Sequence, residues 1–153
     1  MAVGWTNRGK YLLMGYLFRA SALPANLYVA LVTSATAPTA DTNTLSQLTE
    51  IAAGNGYTTG GYQLTENATD FDVWSEDDTS DLSKIQLKDI VWTASGGPIP
   101  ASGNGARYAV LTDYNATVGS RQVIAYWDLA SDRTVSSGQT LTLQDCELRI
   151  TES

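Results

Sequence analysis

The hydrophobic pattern changes once along the chain, near residue 24. Before that point apolar residues recur at spacings of three and four: Tyr11, Leu12, Met14, Leu17 and Phe18, with Trp5 just outside the run. This spacing predicts an α-helix over residues 6–21, capped by Thr6 or Asn7 and ended by Ala22-Leu23-Pro24. Leu13 and Tyr16 widen its apolar arc further. A helix that apolar has to be covered on most sides, by its own domain or by a neighbouring subunit.

Beyond Pro24 the pattern is that of β-structure. Residues 26–33 (NLYVALVT) form a dense β-branched and aromatic run suited to a central strand. Residues 34–48 are rich in Ser, Thr, Ala and Pro and read as a long loop, and the glycine-dense bend at 54–61 leads into a short strand at 62–65. Residues 66–81 are acidic around Phe71, Val73 and Trp74, and read as an irregular segment pinned by its two aromatics. Four further strands are expected, at 84–94, 106–114, 121–129 and 140–150, separated by Gly, Pro and Ser turns. The expectation is a single domain over residues 1–153, mainly β, an antiparallel β-sandwich or jelly-roll-like fold with one N-terminal helix. Its long loops, about 34–60 and 94–105, exceed the ~4–6 residues that usually join elements, and long loops on a β scaffold are where contacts are made.

Composition narrows the function. A chain of 153 residues with 43% apolar content can bury a core without disulfides or metal. The net charge of −7 is unevenly placed: residues 1–19 carry Arg8, Lys10 and Arg19 and no acid, whereas residues 20–83 carry nine acids and no Lys or Arg. An acidic middle argues against nucleic acid as a partner, because affinity for phosphate backbones comes from Lys and Arg. The basic segment suits an acidic protein surface, or else is an ordinary solvated helix face. No run approaches the ~20 apolar residues of a membrane span, and Gly15 and Tyr16 interrupt the stretch 12–18 that would otherwise suggest a signal peptide, so synthesis in a cytoplasm is expected. The triplets at Asn67 and Asn115 match a glycosylation acceptor pattern that carries meaning only after secretion.

The chain has no histidine and one cysteine, Cys146. Ser-His-Asp and Cys-His nucleophiles, thiolate zinc cages and Cys-x-x-Cys redox pairs are therefore excluded. Gly54-Asn55-Gly56 leads into Tyr57 and threonines rather than a helix, so it reads as a turn and not a nucleotide loop. Carboxylates remain. Asp70, Asp72, Glu76, Asp77 and Asp78 contain enough acids for a glycosidase-like pair or a Ca²⁺ site, although a solvated acidic loop needs neither pocket nor ligand geometry. Trp5, Trp74, Trp92 and Trp127 suit either a carbohydrate platform or a core. No catalytic set, metal or cofactor is expected.

The run 26–64 carries a resemblance. Leu27–Thr33 (LYVALVT), Pro38-Thr39, Leu48-Thr49-Glu50-Ile51 and Gly54-Asn55-Gly56-Tyr57 follow a pattern that resembles small structural proteins of tailed-phage particles, and a helix before the strand fits it too. About forty residues match closely and the rest only in general character. The resemblance implies a virion component, most like a capsid decoration (cement) protein. Such a protein binds the major capsid protein of an expanded capsid, bridges its subunits and stabilises it, often as a homo-oligomer, with a trimer favoured. It would sit on the capsid surface after synthesis in the host cytoplasm, with no nucleic-acid or membrane partner. Multivalent attachment amplifies modest contacts, and a closed oligomer repeats one patch. On this reading the contact residues are expected at Trp5, Arg8, Lys10 and Tyr11 and in the loop 35–48, with Pro38 and Thr39 at its centre. The alternative is a tail or tail-fibre module binding a host surface glycan. A third reading is a cell-wall hydrolase using Asp70 or Glu76.

Overall fold

A computed structural model describes residues 2–151. Ten strands and one helix follow the order β1 (Ala2–Trp5), α1 (Asn7–Phe18), β2 (Leu27–Val32), β3 (Tyr62–Leu64), β4 (Val73–Asp77), β5 (Leu82–Gln86), β6 (Ile90–Thr93), β7 (Ala106–Thr112), β8 (Val123–Arg133), β9 (Thr140–Leu143) and β10 (Glu147–Thr151). Every strand pairing among the described residues is antiparallel. The fold is thus mainly β with one N-terminal helix, as expected, and it is sandwich-like rather than a closed barrel.

One layer is a five-stranded sheet in the order β1-β8-β7-β2-β3. β2, the strand expected to be central, lies between β7 and β3, and its last four residues are fully buried. Val29 and Leu31 of β2, Ala109 and Leu111 of β7 and Ala125 and Trp127 of β8 share a cluster with Ile90, Trp92, Leu141, Leu143 and Leu148 from the smaller sheets, which form the second layer. Alternation along each strand places these residues on one face.

The opposite face of the large sheet is also covered. Ala30, Val32, Val110 and Val123 meet Leu45 and Leu48 from the long loop. That loop therefore covers the sheet through Leu45 and Leu48, while most of its other residues stay exposed. It is tied down by a short 3₁₀ turn at Leu45–Gln47, and Gln47 accepts hydrogen bonds from the backbone N–H groups of Asn43 (2.6 Å) and Thr44 (2.9 Å). Further on, the Tyr57 hydroxyl donates to Glu50 (2.6 Å) and accepts from the Leu31 N–H (2.9 Å), fastening the glycine-dense bend to β2.

Three expectations require correction. Residues 84–94 and 140–150 are not single strands: each breaks in the middle, so that β10-β5-β4 forms a three-stranded sheet and β6-β9 a two-stranded one. The two breaks face each other, and pairing resumes in the same register on either side, from Glu147–Gln86 to Leu143–Ile90. Leu87 and Cys146 turn into the core there, the Leu87 N–H bonds the Cys146 carbonyl (2.9 Å), and Asp145 takes a left-handed φ of 53°. Residues 66–81 are not wholly irregular, because β4 and β5 form a hairpin. Trp74 does not pin that segment; it projects from β4, 86% exposed. The N-terminal strand β1 was unforeseen, since four residues containing Gly4 carry too little pattern to read. Cys146 is buried, and burial pushes its thiol up to about 12.

Candidate functional site

The surface that stands out is built around α1. Its first turn is fixed to the body. Buried Thr6 caps the helix: its hydroxyl accepts from the Gly9 N–H (2.8 Å) and donates to the Val123 carbonyl, while its own N–H bonds Ile124 (3.1 Å). The Trp5 indole N–H donates to Arg149 (2.8 Å), joining β1 to β10. Asn7 reaches the long loop through its backbone N–H to Ala40 (2.7 Å) and its side chain to Asp41 (3.0 Å). Gly9 is the one buried residue of the helix and lies directly on the backbone of Ile124.

Beyond Gly9 the helix leaves the body. The helical turn places Leu12 and Tyr16 on the same side as Gly9, and places Tyr11, Met14 and Phe18 on the far side with Leu17 on its flank. All four of these far-side and flanking residues are exposed. Helical periodicity is obeyed, yet the polar face that should look outward is apolar.

Beside the helix lies an apolar groove of about 570 Å³. Its helix side is made by Leu12, Leu13 and Tyr16; its far wall is Trp74, Ile85 and Leu148, which the strand register aligns in one row across β4, β5 and β10. Ile150, two residues beyond Leu148, extends the same face and is exposed, and Glu76 stands two residues beyond Trp74. At the end of this sheet the hairpin carries Asp77, Asp78 and Asp81, all exposed, with Asp77 held by the N–H groups of Thr79 (2.9 Å) and Ser80 (3.2 Å).

The expected contact residues are brought together only in part. Lys10, Tyr11 and Thr39 are exposed, and the Asn7–Asp41 bond sets the loop beside the helix start. Arg8 is half-buried, its guanidinium 5.4 Å from the Tyr11 ring. Trp5 is also half-buried and committed to Arg149. Pro38 is buried, because the loop folds its proline inward, and it drops out of the contact surface. Leu17, Phe18, Leu23 and Trp74 were missed as surface residues. For Leu17 and Phe18 the excess of apolar positions around the helix was the one sequence signal.

Within the carboxylate cluster, Asp70 is committed to an ion pair. Asp70 is buried and ion-paired with Lys88 (2.6 Å), and its other oxygen accepts from Thr65 N–H (2.7 Å). The Lys88 ammonium and that N–H hold its carboxyl below the usual range, opposite to what a general acid needs. Because the folded value lies below the unfolded one, this contribution to stability is present above about pH 4 and is lost as pH falls through the lowered value. Asp70→Asn is expected to lower stability by about 1 kcal/mol near pH 7. The two melting curves should converge in acid; thermal melts between pH 7 and pH 3 check this, and a gap that persists at low pH would contradict it.

The aromatics divide between core and surface. Trp92 packs against Tyr57 and Tyr62 with ring centroids 6.0 and 6.2 Å apart, and Trp127 is buried. Among the described residues no three acidic or cysteine side chains converge as a metal cluster, and no helix is long and apolar enough to cross a membrane. Comparison with protein-family models, curated proteins and solved structures finds no match to this chain.

Proposed function

We propose that the chain is a non-catalytic structural protein of a tailed-phage particle, a capsid decoration subunit that binds the major capsid protein and bridges neighbouring capsid subunits. The observation that carries the reading is the bare apolar face of α1 with cations beside it: a single copy leaves uncovered a surface suited to protein contact. The resemblance in residues 26–64 supports a virion scaffold. Those residues supply β2 and the loop cover, so they speak for the body and not for the docking face. The capsid would meet the helix-start end of the molecule, where Arg8, Lys10, Tyr11 and Thr39 gather. A tail module binding glycan has one bare tryptophan, Trp74, to draw on.

The test is addition of purified protein to expanded capsids that lack it, with occupancy measured by co-sedimentation. Saturating, stoichiometric binding is expected. Arg8→Glu with Lys10→Glu should weaken it by roughly tenfold, since rim charges steer docking more than they anchor it. Absence of binding by the unmodified protein would overturn the reading.

A further inference from the structure

We propose that the outer face of α1 docks on the Trp74 face of a second copy of this chain, so that copies associate head to tail. The two patches differ within one copy and cannot meet there. Gly9, Leu12 and Tyr16 turn toward the body and groove, which points Met14 and Phe18 away from the chain's own Trp74.

Charge selects this occupant. Arg8, Lys10 and Arg19 are the ionisable groups on and just beyond α1, apart from its tyrosines, and all three are cations. The opposing face ends in Glu76, Asp77, Asp78 and Asp81. Helix against hairpin joins opposite charges, whereas helix against helix would set cation against cation.

Area agrees. Met14, Leu17 and Phe18 on one face and Trp74 and Ile150 on the other are each 55–86% exposed. At about 150–200 Å² per fully exposed large side chain, the five offer roughly 500–700 Å² of apolar surface. A stable interface buries about 1,200–2,000 Å² in total, a little over half of it apolar, so these side chains supply most of the apolar area of an interface at the small end of that range. Because the two faces differ, the contact is heterologous, and it closes into a ring if the rotation permits.

The proposal shares the bare face of α1 with the particle reading but is tested in solution without capsids, so the two can fail separately. Native mass spectrometry and multi-angle light scattering of the full chain should show oligomers at micromolar concentration. Phe18→Glu spoils the helix face and Trp74→Glu spoils the sheet face, and each variant alone should be monomeric. Mixed, they retain one intact face each and should form a one-to-one pair, which also establishes that both are folded. A monomeric unmodified protein at about 100 µM, roughly a hundredfold above the micromolar affinity expected of such an interface, would overturn the proposal. So would failure of the two variants to pair while the unmodified protein associates, or a monomer carrying a bound small apolar molecule in the groove.

Discussion

Trp127→Ala should cost about 3–5 kcal/mol, the range for emptying a buried aromatic site. Trp127 is 1% exposed in the middle of β8, the strand that pairs with both β1 and β7. Its ring belongs to the cluster that includes Leu141, Leu143 and Leu148 of the second layer. Its indole N–H donates to the Glu147 carbonyl (3.0 Å), so one side chain both fills the space between the layers and ties β8 to β10. Truncation leaves a cavity and an unpaired carbonyl together, and backbone constraints on both sides limit collapse. For a chain near 150 residues, each kcal/mol is worth about 2–4 °C, so a melting temperature lower by roughly 10–15 °C is expected. Trp74→Ala, which removes the same side chain from an exposed site, should stay within about 0.5 kcal/mol. Circular-dichroism melts of the two variants decide the matter; equal losses would show that the core is not organised around Trp127.

The second large effect is expected at Gly9. A Cβ there would fall on the carbonyl oxygen of Ile124, with that residue's Cα and carbonyl carbon at 2.8 Å. Alanine favours the helix over glycine by about 1 kcal/mol. The clash opposes this by about 3 kcal/mol, the upper end for overpacking, because the obstructing atoms are backbone within a paired strand and cannot rotate aside. The clash wins, and Gly9→Ala should destabilise by about 2 kcal/mol net, the difference between these two terms. Gly15→Ala supplies the contrast: its Cβ would meet the Ser21 hydroxyl at 3.2 Å, a side chain that can move, so the propensity gain survives. If the strain at Gly9 is relieved by lifting the helix, trypsin should cut after Lys10 and Arg19 faster than in the unmodified chain. Melting and limited proteolysis of both variants test this, and a Gly9→Ala variant as stable and resistant as Gly15→Ala would refute it.

How much of this surface was legible in the sequence can be judged from particular residues. The spacing of Tyr11, Leu12, Met14, Leu17 and Phe18 does mark a helix, and Thr6 does cap it. The same spacing says nothing about which side is covered. Apolar residues all round imply burial, and in one copy the burial is absent over half the helix. Likewise Trp74, read as pinning an irregular segment, is a strand residue left bare, whereas Trp92 in its strand-like run is core, because Tyr57 and Tyr62 pack on Trp92 and nothing comparable among the described residues covers Trp74.

The amino-acid sequence by itself determined the class of the fold, the N-terminal helix and the strand over residues 26–33. It also determined the absence of histidine chemistry and the division between a basic start and an acidic middle. These are local or compositional properties: periodicity follows from backbone geometry, and charge from residue counts. Tertiary structure alone decided that the runs at 84–94 and 140–150 break opposite each other, that the long loop covers a second face of the large sheet, that Pro38 is inside and Trp74 outside, and that α1 shows its apolar side to solvent. Each of these depends on which distant segment lies against which. A strand or helix carries two faces in its own sequence, but burial is assigned to one of them only by the partner that arrives from elsewhere in the chain.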